Sequence, residues 1–245
     1  MEHQLFKSAQ KLSFYDRFSH ELRTTLTGIV GFSEYIAHTA EEPMMKFAAE
    51  VIQQGGHDVL RVMGAYVEYF RIESGHFNLQ LSSFSLVDLI QEVVSSVRAS
   101  AHQRSAKVIF SCDDESWSCR IFSDLVFFRQ VLDLLLQDFI STSNKDELIQ
   151  INLQRGTSRD SFTLSFVKTS EHEAARTMQL YQSFWSSEDG FMYAKQEGPG
   201  VCGALAKRFV TELLGHVNGA WASDKTFQLD LVFPVRAEKM KCNEQ

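Results

Sequence analysis

The chain has 245 residues, 44% hydrophobic and 22% charged, a balance too apolar for a disordered protein and long enough for one large or two ordinary domains. Its 31 acidic against 24 basic residues give a formal net charge of -7, which argues against nucleic-acid binding because an acidic surface repels phosphate backbones. No apolar run reaches the roughly 20 residues that span a bilayer, so no membrane is expected.

In chain order, residues 12–38 repeat apolar positions at Tyr15, Phe18, Leu22, Ile29, Phe32 and Ile36. That spacing, close to about 3.5, predicts a coiled-coil-like seam on a long helix. Pro43 fits the first turn of a second helix, where Ala48, Ile52, Gly55, Val59, Val62, Tyr66 and Phe70 continue the spacing toward Ser74-Gly75. The Gly55-Gly56 pair is a weak point and a predicted kink, each Gly costing about 1 kcal/mol against Ala. Such a hairpin cannot bury both stripes alone, so two copies are expected to pair into a four-helix bundle, making a homodimer.

Beyond Gly75 the pattern changes. Phe77, Leu79 and Leu81 alternate like a short strand and residues 84–101 read as a helix. Residues 107–112 read as a strand and residues 124–140 as a strongly apolar helix. Strands follow over 147–154 and 161–167, separated by a turn signal at 156–160. A helix over 201–214 is terminated by Gly215, and a strand over 226–233 closes before Pro234. The fold class expected is α+β: a helical hairpin in residues 1–76, then a two-layer α/β sandwich in residues 77–245.

The four cysteines, Cys112, Cys119, Cys202 and Cys242, follow neither metal-ligand nor disulfide spacing. With no signal peptide, they predict reduced thiols in a cytoplasmic protein. The histidines other than His20 form no ligand pair on one helix face, so no metal site is expected.

The informative stretch is Phe18-Ser19-His20-Glu21-Leu22-Arg23-Thr24. With Tyr15, Phe18, Leu22 and Ile29 on the seam, His20 points outward and Thr24 lies one turn further on the same face. An exposed imidazole is largely neutral at cytoplasmic pH and therefore nucleophilic. The neighbouring Glu21 carboxylate can take its Nδ1 proton, leaving Nε2 to attack. The Thr24 hydroxyl can position water or a phosphoryl oxygen. On spacing alone, three solvated polar residues on a helix surface explain the pattern better, because such triplets are common.

Residues 18–24 closely resemble the phosphoacceptor H-box of bacterial sensor histidine kinases. Arg71-Ile72-Glu73-Ser74-Gly75 resembles the end of that family's second dimerisation helix, and residues 77–94 resemble its entry into the ATP-binding domain. Ser123-Asp124 through Arg129-Gln130-Val131-Leu132 resembles the approach to the N-box. The resemblance implies a dimeric phosphotransfer hairpin followed by an ATP-binding fold of the Bergerat type.

There are departures. Thr25 stands where the H-box usually has Pro, which removes a bend but not the nucleophile. Leu134 and Asp138 stand at the two N-box asparagines; Asp138 could still bind a cation, but Leu134 offers no hydrogen bond. Lys168 and Ser170 stand where the G1 box has its adenine-accepting Asp and its Gly, so the usual recognition is inverted in sign. Gly198-Pro199-Gly200-Val201-Cys202-Gly203 resembles a G2 box with Cys202 at a usual glycine, and Tyr181 to Trp185 resembles a remnant F-box. Losses of about 1–3 kcal/mol per contact argue against ATP binding of ordinary strength.

The leading expectation is a dimeric histidine phosphotransferase of a two-component phosphorelay. His20 would accept phosphoryl from one response-regulator receiver domain and pass it to another, assisted by Glu21 and Thr24. The receiver would dock below His20 on Thr27, Val30, Glu34 and Tyr35, positions that ordinary bundle surface also explains. Magnesium would come with the receiver, and this chain would need no cofactor of its own. Only 17 residues precede Phe18, which favours a relay component over a sensor unless the chain is a fragment. Two alternatives stay open: an ATP-dependent histidine kinase with an atypical nucleotide site, and a non-catalytic regulator that pairs with a true kinase.

Overall fold

The computed structural model describes residues 2–103, 105–113, 120–143, 147–156, 160–169, 201–223 and 226–236; in the first helix side chains are described from His20 onward. Tyr15, Phe18, Cys119, Ser170, Tyr181 to Trp185, Gly198 to Gly200 and Cys242 therefore lie outside what is described, wholly or in their side chains. The chain divides into two compact units, Met1–Asn78 and Leu79–Gln245.

The first unit is a hairpin of α1 (Glu2–Thr39) and α2 (Pro43–Glu73). Pro43 sits in the first turn of α2, where its missing N–H costs nothing. At the other end Gly75 takes φ +72°, the left-handed conformation that glycine adopts without penalty. Its N–H donates to the Ile72 carbonyl (3.0 Å) and that of His76 to the Arg71 carbonyl (2.9 Å). These two bonds close a Schellman motif.

Among the described residues those buried in the hairpin are mostly small: Val30, Ser33 and Ala37 on α1, and Ala49, Gly56, Ala65 and Ile72 on α2. The large apolar residues expected on that seam point elsewhere. Ile29, Phe32 and Ile36, with Met44, Met45, Phe47, Val51, Ile52 and Val59, stay exposed, Phe32 to 75%. The periodicity thus marked a second stripe. Small residues let the two helices approach closely, while bulkier ones line a face that one chain leaves open.

Helix α2 runs through the Gly55-Gly56 pair without interruption. Gly56 marks a close approach: a Cβ there would collide with Val30, whereas one at Gly55 would meet nothing within 4 Å. Gly55→Ala is accordingly expected to stabilise the chain by about 0.5–1 kcal/mol. Gly56→Leu is expected to destabilise it by about 1–3 kcal/mol. Thermal denaturation of the pair, read by circular dichroism, checks the opposite signs.

In the second unit β1 (Leu81–Ser85) and β3 (Arg120–Asp124) form a two-stranded antiparallel ladder. A five-stranded sheet is ordered β2 (Lys107–Cys112), β4 (Leu148–Arg155), β5 (Ser161–Thr169), β7 (Thr226–Pro234), β6 (His216–Ser223). Within this sheet the β2–β4 pair is parallel and the other described pairs are antiparallel. Among the described residues three helices, α3 (Leu86–Gln103), α4 (Leu125–Ser141) and α5 (Val201–Glu212), accompany the strands. Alternate residues of the central strands are buried, among them Ile149, Ile151, Leu153, Leu164, Leu229 and Leu231, the period-two pattern of a one-sided sheet. Phe128 of α4 packs on Phe233 with ring centroids 4.7 Å apart, and Phe139 packs on Phe166 at 5.7 Å. These contacts seat α4 on the sheet and make it apolar around most of its circumference.

β3 and β6 were not anticipated. The first is a five-residue strand abutting a helix. The second carries Asn218 and Gly219 and pairs only with β7, so it has weak strand propensity at an edge. The expected strand at Phe77 to Leu81 instead starts at Leu81. Gly215 does not supply the left-handed turn after α5; Leu214 does, at φ +59°. Gly215 is required because a Cβ would press on Phe233 and Val210.

Asp124 joins several of these pieces. Its Oδ1 accepts from the Phe127 N–H (2.9 Å), capping α4, and its Oδ2 accepts from the Gln80 N–H (2.7 Å). Asp124→Ala removes a cap and leaves buried N–H groups unsatisfied, so a loss of about 2–3 kcal/mol is expected in denaturant unfolding. Among the described residues no helix is long and apolar enough to cross a membrane.

Candidate functional site

His20 and Glu21 are both exposed on α1. They are adjacent in sequence, and adjacent side chains on a helix diverge. Among the described residues neither makes a side-chain hydrogen bond or ion pair, so the Glu21–His20 contact expected from the sequence is not formed in this conformation. The Thr24 hydroxyl donates to the His20 carbonyl (2.9 Å). Its proton is therefore engaged, and its lone pairs are what it offers to a donor. Thr25 donates to the Glu21 carbonyl (3.1 Å) and Thr27 to the Arg23 carbonyl (2.7 Å). With an N–H at Thr25, helix α1 continues unbroken past the imidazole.

Arg23 was not singled out from the sequence. It is exposed and, three residues beyond His20, lies on the His20 face, as Thr24 does at four residues. Among the described residues it has no ion-pair partner. The signal was available in the spacing alone.

Of the expected docking positions, Thr27, Glu34 and Tyr35 are exposed. Val30 is not: it is buried against α2 beside Gly56. Its place on a docking surface is withdrawn, because the inner face of the hairpin passes through residue 30.

In the second unit, Leu134 and Asp138 lie one turn apart on α4 and are 0% and 2% exposed. Lys168 on β5 forms an ion pair with Glu147 (Nζ to Oε2 3.1 Å), the two side chains being 12% and 4% exposed. Its ammonium also donates to the Thr142 carbonyl (2.6 Å) and hydroxyl (3.3 Å) and, at 3.5 Å, to the Phe139 carbonyl. Burial pushes the Lys168 pKa below the ordinary lysine value, opposed by Glu147 and by the Asp138 charge. Among the described residues no group of three His, Cys, Asp or Glu gathers as metal ligands would.

No family profile matches the chain. It is 27% identical over 135 residues to the autoinducer 2 sensor kinase/phosphatase LuxQ of Vibrio parahaemolyticus, covering 55% of this chain and 16% of that protein. It is 22% identical over 210 residues to the sensor histidine kinase GacS of Pseudomonas protegens, covering 84% of this chain and 23% of that protein. The chain thus spans under a quarter of the length of either relative. Among solved structures, full-length ShkA in complex with AMPPNP superposes with a TM-score of 0.64 at 15% identity, over 91% of this chain and 45% of that one. The histidine kinase ThkA in complex with the response regulator TrrA superposes at 0.54 and 18% identity, over 97% and 67%.

The chain has the fold of a sensor histidine kinase core.

The resemblance of such a core to ATP-binding kinases makes the fit of nucleotide and magnesium a question for these side chains. Among the described residues, three side chains at positions that resemble nucleotide contacts do not fit them. Leu134, where the resemblance places one N-box asparagine, is fully buried and has no ligand atom. Asp138, where it places the other, is buried at 2% exposure. Lys168, at the adenine-recognition position, is a donor committed to Glu147 and Thr142, whereas an adenine amino group needs an acceptor. Among the described residues, the chain thus has an exposed His20 on α1 and, at the positions that resemble nucleotide contacts, side chains that are buried or paired within the protein.

Proposed function

We propose that the chain is a dimeric histidine phosphotransferase acting in a cytoplasmic two-component phosphorelay. The observation that carries this reading is the exposed His20 imidazole on an uninterrupted α1, sharing its face with Thr24 and Arg23. In the forward step Nε2 of His20 attacks the phosphorus of an aspartyl phosphate on a receiver domain. The N–P bond forms, the P–O bond to the aspartate breaks, and the aspartate leaves as carboxylate. Glu21 takes up the Nδ1 proton after a side-chain rotation, and Arg23 offers a forked guanidinium to the phosphoryl oxygens. The return step reverses these bonds onto a second receiver. Magnesium belongs to the receiver's acidic site.

Two chains pair through the exposed stripe that includes Ile29, Phe32, Ile36, Val51 and Ile52, since an apolar face of this length is costly to leave in water. Thr27, Glu34 and Tyr35 help choose the receiver.

Similarity to sensor kinases favours a second reading, an ATP-dependent histidine kinase. Two incubations separate them. A phosphorylated receiver should transfer label to the chain, and label acquired from ATP and magnesium alone would establish the kinase instead. A chain that takes label from neither source is the non-catalytic regulator.

A further inference from the structure

We propose that Lys168 has turned the nucleotide-recognition position of this fold into a permanent internal clasp. The clasp holds the C-terminal end of α4, the start of β4 and the strand β5 together without a ligand. The geometry is specific. One ammonium reaches Glu147 just before β4, the Thr142 carbonyl and hydroxyl at the end of α4, and the Phe139 carbonyl within it.

The last carbonyls of a helix lack intrahelical donors and carry its negative end, so a cation there satisfies both needs at once. Asp138 lies close enough to act on the Lys168 charge, while Glu147 is the carboxylate paired with the ammonium. A purine amino group arriving at this position would meet a donor instead of an acceptor. A magnesium ion would compete for a Glu147 carboxylate that is buried and already paired. Lys168 supplies from within the protein a connection between α4, β5 and the residue preceding β4. The second unit of this chain is thereby a nucleotide-independent scaffold, a property separate from whether His20 carries phosphoryl.

The test uses the full chain and three proteins: wild type, Lys168→Met, and Lys168→Met combined with Glu147→Gln. Lys168→Met should lower Tm by about 10 °C by leaving buried carboxylates uncompensated. The double variant should regain at least half of that loss. Mg-ATP and Mg-ADP at about 5 mM should raise the Tm of wild type by no more than about 1 °C. The clasp is overturned if Lys168→Met leaves Tm unchanged. It is equally overturned if Mg-ATP raises the wild-type Tm by several degrees. Should Lys168→Met then abolish that rise, Lys168 is a phosphate ligand. Phosphotransfer from a receiver is measured alongside, and a failure there with the Tm pattern intact counts against the relay and not against the clasp.

Discussion

His20→Ala is expected to take up no label from a phosphorylated receiver, while retaining wild-type helicity and Tm. The ring is exposed, so its removal isolates the chemistry from the fold. Glu21→Gln should slow transfer by about 10²–10⁴-fold, the usual weight of a general base. Thr24→Ala should have a smaller effect, because its proton is already given to the His20 carbonyl and only its lone pairs face outward. Arg23→Gln should weaken transfer and Arg23→Lys should restore part of it, since a charge survives but the fork does not. Rapid-quench transfer measured over a pH series checks all four. Label on His20→Ala would place the acceptor elsewhere and end the account.

Lys168→Met should be among the more destabilising single substitutions in the second unit, by about 3–5 kcal/mol, against a total stability of order 5–15 kcal/mol. The cost comes less from losing attraction than from leaving Glu147, at 4% exposure, without its counter-charge. Adding Glu147→Gln removes that charge and should recover much of the loss, a coupling that denaturant unfolding of the double-mutant cycle measures.

The pH dependence has a definite sign. Desolvation places the folded Lys168 pKa below its unfolded value. Between the two values the unfolded chain binds more protons than the folded one, so this group's contribution to stability rises with pH through that window and is lost as pH falls through the folded value. The double variant should lack this component. An alkaline stability series that runs parallel for the two proteins would show that Lys168 titrates normally.

Much of the architecture was legible in one dimension. Alternation marked Ile149, Ile151 and Leu153 as a strand; the apolar block around Phe127 and Phe128 marked α4; Ser74-Gly75 marked the end of α2. What failed had a common cause. β6 reads poorly because an edge strand with Asn218 and Gly219 gains its stability from β7, not from its own residues. Leu214 in the left-handed region could not be read from sequence, because the adjacent Gly215 is the residue that local propensity favours there. The site divides in the same way. His20, Glu21, Thr24 and Arg23 lie within five residues on one helix, so spacing alone places them. Lys168, Glu147 and Thr142 come from separate stretches, and nothing in their spacing announces that they meet.

The sequence by itself determined the helices, most of the strands and the exposed imidazole, because helical period and residue chemistry are local properties. Only the tertiary structure decided which stripe of the hairpin is inner and where the Lys168 charge is spent. The first depends on how closely Gly56 and Val30 let two helices approach. The second depends on a sheet and a helix end converging around one ammonium, and both are distances between residues far apart along the chain.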